Sequence, residues 1–235
     1  FDNKPNSGEN PTFDTLPFNM IFTIAKSLVR LLFPLFYRRK ILRSKASATV
    51  KGAAIIAANH VSFLDPIIIP LAFPGKLYQL AKSGLFSNSF TNRLFRELGC
   101  YPISRNAGNA AAFKAALNIF SHGGRLIIYP EGTRHADGEI HQGKVGVGML
   151  AIKGNVPVIP VYVAGTFEAF GKNQKFPKLW RTLTTVIGSP ISFQDLIDNP
   201  AIDKKEAYQL ATDRIMTKIT ELRTWFQQGC IGEIP

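Results

Sequence analysis

Beyond residue 50 the chain alternates apolar runs with helical stretches: AAIIAA, RLIIYP and VPVIPVYVAG read as strands, and the threonine-rich TLTTVIG as another. A strand that is apolar on both sides must be covered on both sides. Stretches of helical character lie between the runs. Residues 66–73 follow a strand at 48–59 and start on a proline; residues 109–122 are alanine-rich and stop at Gly123-Gly124; GVGMLAIKG fills 146–154. Shorter strands are expected at 77–81 and in CYPIS, with a helix over 90–98. Alternation of this kind predicts an α/β fold: a mixed, mainly parallel sheet flanked by helices. Near the end, Asp203 and Glu206 form a capping box for a helix running to about residue 228. Its buried face is Ala211, Ile215, Ile219, Leu222 and Phe226. The 235 residues are 46% hydrophobic and 19% charged, which suits a sizeable core and excludes a disordered chain.

The formal net charge is +12, which points to an anionic partner. The charge is unevenly placed. No acidic residue lies between Asp14 and Asp65, while Lys26, Arg30, Arg38, Arg39, Lys40, Arg43, Lys45 and Lys51 fall in that gap. A nucleic-acid reader would show basic residues interleaved with exposed aromatics or a recognisable module; no zinc-ligand spacing, RNP-like stretch or basic-zipper pattern is found, and a nucleic-acid partner is not expected. Two cysteines, Cys100 and Cys230, make no disulfide framework and no metal motif. No H-E-x-x-H or similar spacing joins His60, Asp65, His135 and His141, so no metal site is expected.

Residues 1–15 read as a loose polar tail. In residues 16–37, Asn19, Thr23, Lys26, Ser27 and Arg30 share one helical face, and Met20, Ile21, Phe22, Ile24, Leu28, Leu31 and Leu32 cover most of the rest. Pro34 should kink or end the helix. The length approaches the roughly 20 residues of a bilayer span. Two mid-helix cations would cost about 2.5–3.5 kcal/mol each in that position. A helix lying in the interface avoids this cost, with its cations on lipid phosphates and Arg38-Arg39-Lys40 adding attraction to an anionic leaflet. The chain thus divides into a tail, amphipathic membrane-binding helix and basic cluster (1–45) and an α/β domain (46–235).

Polar clusters stand at the ends of three apolar strands, where ligands of α/β folds bind. They are Asn59-His60 with Asp65, Ser104-Arg105, and Glu131-Gly132-Thr133-Arg134. The first has two readings. Ser62 and Asp65 fit a capping box before the run IIIPLAF, with Pro66 in the first turn. Alternatively, Asp65 and His60 form an acid–base pair. The two coexist if the chain folds back between them, since a carboxylate has two oxygens to share between the roles. Arg105 and Arg134 offer bidentate forks for a phosphate, Gly132 allows close backbone approach, and Lys144 is a weaker cation candidate.

These clusters together resemble the glycerolipid acyltransferase family, which includes the 1-acyl-glycerol-3-phosphate acyltransferases. NHVSFLD (59–65) is similar to its H-x4-D block. GCYPISR (99–105) resembles the second block. YPEGTR (129–134) resembles the P-E-G-T-R block, with Tyr129 where Phe is usual, and VPVIPV (156–161) resembles the fourth. The likeness covers about residues 50–192, and the order and spacing of the blocks make it specific.

The resemblance implies acyl transfer from a thioester, acyl-CoA or acyl-carrier protein, to the sn-2 hydroxyl of a lysophosphatidate. No cofactor is implied beyond that co-substrate. His60 would be the base and Asp65 its orienting carboxylate. Arg105, Glu131, Gly132, Thr133 and Arg134 would line the acceptor phosphate and glycerol, with Asn59 and Lys144 as further candidates. Glu131 would bind a glycerol hydroxyl or orient an arginine. Transfer would be direct, with no serine nucleophile, and the V-P-V-I-P-V block would lie on the acyl-donor side. A membrane lipid acceptor places the protein at a membrane, monotopic or peripheral on the cytoplasmic face. Two rivals remain: the same chemistry on another lysophospholipid, and a non-catalytic membrane-surface protein.

Overall fold

The computed structural model describes residues 18–89, 92, 95–96, 99–103 and 108–235. Among the described residues seven strands are seen: β1 Arg38–Arg43, β2 Ala54–Ala58, β3 Leu77–Lys82, β4 Cys100–Ile103, β5 Arg125–Ile128, β6 Val158–Ala164 and β7 Thr182–Ile187. They form one sheet in the order β1-β7-β6-β2-β5-β3-β4. Every neighbouring pair is parallel except β6 and β7. Helices are α1 Phe18–Phe36, α2 Asp65–Ala72, α3 Gly108–Ser121, α4 Gly146–Gly154, α5 Thr166–Phe170, α6 Gln194–Ile197 and α7 Lys204–Gln227. The mixed, mainly parallel sheet is the one the apolar runs predict.

The central strand explains why its residues show no alternation. All five residues of β2 are buried. Ile56 faces a core with α2, Phe33 of α1 and Phe73. Ile55 and Ala57 face a second core with α3, α4 and α7. The C-terminal helix also follows expectation. Asp203 caps it by accepting the N–H groups of Lys205 and Glu206, and Ala211, Ile215, Ile219 and Leu222 are buried. Phe226 is half-buried. Of the helix expected over 90–98, Asn92, Phe95 and Arg96 are described and helical; the rest lies outside the described residues.

The basic stretch 38–43 is part of the sheet. It is an edge strand paired in register with β7, Arg38 opposite Thr182 through Arg43 opposite Ile187. The body of the fold therefore begins before residue 46. Several cations in this region turn inward. Arg30 and Arg39 donate to Leu71 O at 3.2 and 3.1 Å, and Arg43 donates to Ala72 O. These are C-terminal carbonyls of α2, which have no partner inside their own helix and lie at its negative end. Arg38 and Lys40 remain exposed. Pro34 lies inside α1, which continues to Phe36. Among the described residues no helix is long and apolar enough to cross a membrane.

The tightest helix contact lies at Gly148 of α4. A methyl group there would collide with Tyr208 O of α7, and the Gly148 N–H already donates to Thr212 Oγ1 at 3.2 Å. Gly148→Ala should therefore destabilise the fold by about 1–3 kcal/mol, an overpacking cost measurable by urea denaturation. A neutral result would show that the two helices can part freely.

Candidate active site

The site grows from the C-terminal end of β2. Asn59, next after the strand, is buried and fastens that end to β6. Its side chain accepts the Val163 N–H at 2.8 Å and donates to Val163 O at 3.2 Å. This prolongs the β2–β6 pairing by one step and fixes where the chain leaves the sheet. Asn59 is thus engaged in holding the strand end.

From there the chain turns back on itself to start α2. Asp65, the first residue of that helix, is fully buried. Its Oδ2 accepts the N–H groups of Val61 and Ser62, both at 2.8 Å, and lies 2.9 Å from His60 Nδ1. Ser62 Oγ accepts the Leu64 N–H at 3.0 Å and donates to Phe170 O at 2.8 Å. The acid–base pair and a carboxylate-centred turn thus occur together, but the capping box does not form: the residue before α2 is Leu64, with no side-chain cap bond, and Ser62 Oγ takes the Leu64 N–H instead of that of Asp65. The sequence suggests one carboxylate oxygen for each, but the turn brings two amides and the ring to the same side, and Oδ2 serves all three. Oδ1 is buried with no hydrogen-bond partner among the described residues.

A carboxylate only accepts, so the proton of this bond sits on Nδ1. Nε2 is then the lone-pair nitrogen, on a side chain 15% exposed. The imidazole plane is also fixed. The Tyr129 ring stacks on it at 3.9 Å between centroids, 17° from parallel. Burial, then the nearby Asp65 carboxylate, hold the Tyr129 phenol well above its ordinary pKa, so the ring stays neutral. Nothing in the residue types alone shows this stacking; only the β2–β5 register brings the two rings together.

Glu131 has a role that the residues alone do not show. Oε1 accepts the backbone N–H of His60 at 3.0 Å, and Oε2 accepts the N–H of His141 at 3.2 Å. The carboxylate is buried. It ties the loop after β5 to the loop after β2. His135 Nε2 lies 3.8 Å from Oε2, and the His135 and His141 rings stack at 3.7 Å.

The remaining residues of this loop form its outer side. Gly132 has φ +72°, a conformation that glycine adopts without strain, and the Lys144 side chain lies against the place where a Cβ would stand. Thr133 and Lys144 are exposed. The Arg134 guanidinium sits 3.6 Å over the Phe63 ring, a cation–π contact joining this loop to the His60–Asp65 turn. The structure therefore brings Asn59, His60, Asp65, Glu131, Gly132 and Arg134 into one set of linked contacts, with Lys144 against Gly132. Arg105 lies outside the described residues.

A histidine paired with a buried carboxylate thus stands at the C-terminal end of a parallel strand in an α/β fold, with Arg134 on the Phe63 ring of the same turn. The chain belongs to the acyltransferase family, whose model matches residues 38–164, more than half of its length. It is similar to the 1-acyl-sn-glycerol-3-phosphate acyltransferase of Borreliella burgdorferi, 31% identical over 125 residues, 52% of this chain and 50% of that protein. It is also similar to the human 1-acyl-sn-glycerol-3-phosphate acyltransferase beta, 29% identical over 153 residues, 63% of this chain and 55% of that protein. The matched part spans about half the length of these relatives. Among solved structures, the 1-acyl-sn-glycerophosphate acyltransferase PlsC of Thermotoga maritima shares the fold. Its TM-score is 0.63 at 23% identity, over 88% of this chain and 79% of that one.

Burial raises the Glu131 pKa, and its bonds to the His60 and His141 amides bring it only part of the way back. The folded chain thus holds this proton more tightly than the unfolded chain. Its stabilising contribution is complete below the ordinary glutamate pKa and is lost as pH rises through the folded value. Glu131→Gln removes that contribution and leaves one backbone N–H facing an NH₂ group. The variant should be less stable than the parent by urea denaturation, and the deficit should shrink as pH rises above the ordinary glutamate pKa of about 4.3. A deficit that grows as pH rises would contradict the sign.

Proposed function

We propose that the chain transfers a fatty acyl group from an acyl thioester to the sn-2 hydroxyl of 1-acyl-glycerol-3-phosphate, giving phosphatidic acid. The observation that carries this reading is the His60–Asp65 pair, which leaves Nε2 as a proton acceptor, with Arg134 held on the Phe63 ring of the same turn. Family membership and similarity to 1-acyl-sn-glycerol-3-phosphate acyltransferases support it.

In this mechanism His60 Nε2 takes the proton of the acceptor hydroxyl as its oxygen attacks the thioester carbonyl carbon. Asp65 holds the ring in the required tautomer and stabilises the imidazolium that forms. Collapse of the tetrahedral intermediate breaks the C–S bond, and the imidazolium returns its proton to the leaving thiolate. No acyl-enzyme is needed, and Ser62 is engaged in supporting the turn. Arg134 and Lys144 flank the turn at Gly132 and would meet the acceptor phosphate, with Arg105 assigned the same role by its motif alone. Glu131 acts through the His60 backbone as a positioning residue.

The acceptor and product are lipids, and α1 supplies a surface for them. Ile24, Leu28, Leu31 and Leu35, at spacings of four, three and four, are 52–72% exposed. Phe33, on the opposite side, packs into the core. A helix with one apolar side in the protein and another uncovered suits the acyl boundary of a bilayer. The protein would then be peripheral or monotopic.

Two outcomes test this reading. In detergent micelles, the intact chain should transfer a labelled acyl group to lysophosphatidate faster than to lysophosphatidylethanolamine. Arg134→Ala should lower kcat/KM for lysophosphatidate by about 10- to 100-fold, the worth of a charged hydrogen bond. Preference for the ethanolamine lipid would move the chain to another acceptor, and no transfer to either would leave a membrane-surface protein. Separately, Leu31→Gln with Leu35→Gln should weaken sedimentation with anionic vesicles at least about tenfold. Unchanged binding would remove α1 from the interface.

A further inference from the structure

Between α5 and β7 runs the segment 171–181, GKNQKFPKLWR. It carries Lys172, Lys175, Lys178 and Arg181 and no acidic residue. Phe176 is 80% exposed and Trp180 is 75% exposed. Single apolar residues on a surface need no explanation. Two further observations set these apart.

The first is the backbone. Trp180 has φ 58°, a left-handed conformation that a bulky side chain rarely adopts. It is held there from both sides. Its N–H donates to Phe36 O at 2.6 Å, Arg38 N–H donates to Arg181 O at 3.1 Å, and Lys178 N–H donates to Ala169 O at 2.7 Å. The fold thus fixes a tryptophan in a costly conformation and leaves its ring in solvent.

The second is the position. At one end the segment is bonded to Phe36, the last residue of α1, where Leu35 and Phe36 are themselves exposed. At the other end Gly171 bridges Ser62, and Phe170 O accepts the Phe63 N–H at 3.2 Å. Phe63 is 42% exposed, stacks near Phe170 at 4.9 Å and carries the Arg134 guanidinium on its ring. The segment therefore connects the uncovered stripe of α1 to the His60–Asp65 turn.

We propose that residues 171–181 are a second membrane-contact element, with an anionic bilayer as the partner. Phe176 and Trp180 enter the interfacial layer, where an indole places its ring among chains and its N–H among headgroups. The four cations meet lipid phosphates. With α1 they give the protein two contacts, one on each side of Phe36, and this fixes its orientation on the leaflet. The inference rests on the reading of the acceptor as a membrane lipid.

Flotation and tryptophan emission on the full chain test it, using phosphatidylcholine vesicles with and without phosphatidylglycerol. The expected result is flotation with the anionic vesicles and a blue shift of emission that is lost in Trp180→Phe. Lys175→Gln and Lys178→Gln should each weaken vesicle binding by about fivefold at low salt. Turnover of a short-chain, micelle-free lysophosphatidate should be unchanged in all three variants. Protein that floats while Trp180 keeps a water-exposed emission overturns the assignment, leaves α1 as the membrane contact and turns the segment toward another partner such as a protein. Protein that does not float overturns the membrane reading itself. Acyl transfer to the soluble acceptor, measured in parallel, separates either failure from a failure of the proposed reaction.

Discussion

One oxygen atom organises the site. Asp65 Oδ2 accepts the N–H groups of Val61 and Ser62 and the Nδ1–H of His60. Those bonds fold the chain back after β2, start α2 and set the imidazole tautomer together. A buried carboxylate without such partners would be strongly unfavourable, so turn and ring orientation stand or fall as a unit. The position at the N-terminus of α2 adds the favourable end of the helix dipole.

The surroundings hold this turn from several directions. Asn59, the residue before His60, is fastened to β6 by its own side chain, Glu131 binds the His60 backbone from the β5 side, and Ser62 reaches Phe170 at the end of α5. At the far end of α2, Arg30, Arg39 and Arg43 occupy carbonyls that the helix cannot satisfy itself. The imidazole is further fixed by the Tyr129 ring. Rigid support of this kind suits the proposed reaction, in which the acceptor hydroxyl would meet Nε2 at hydrogen-bond distance.

Much of this is legible in the residues. Apolar runs without alternation report burial on both faces, and every strand they predict is found. Asp203 announces its helix because capping is local. The pairing of His60 with Asp65 is legible as a spacing. What is not legible depends on sheet register. Tyr129 stacks on His60 because β5 neighbours β2, and Glu131 meets the His60 amide for the same reason. The basic stretch 38–43 shows the same limit. Its charges suggest an anionic surface, yet its pairing with β7 makes it a strand and directs Arg39 and Arg43 to backbone carbonyls. Charge counting cannot distinguish a lipid phosphate from the end of a helix.

His60 and Asp65 are proposed to act as one unit in acyl transfer, and a double-mutant cycle measures their coupling. Single-turnover rates would be compared for the parent, His60→Ala, Asp65→Asn and the double variant, each checked for folding by circular dichroism. The expected result is a loss of about 10²- to 10⁴-fold for His60→Ala and little further loss in the double variant, because a carboxylate that acts through the ring has nothing left to orient. Independent, multiplicative losses, or a His60→Ala variant that keeps its rate, would contradict it.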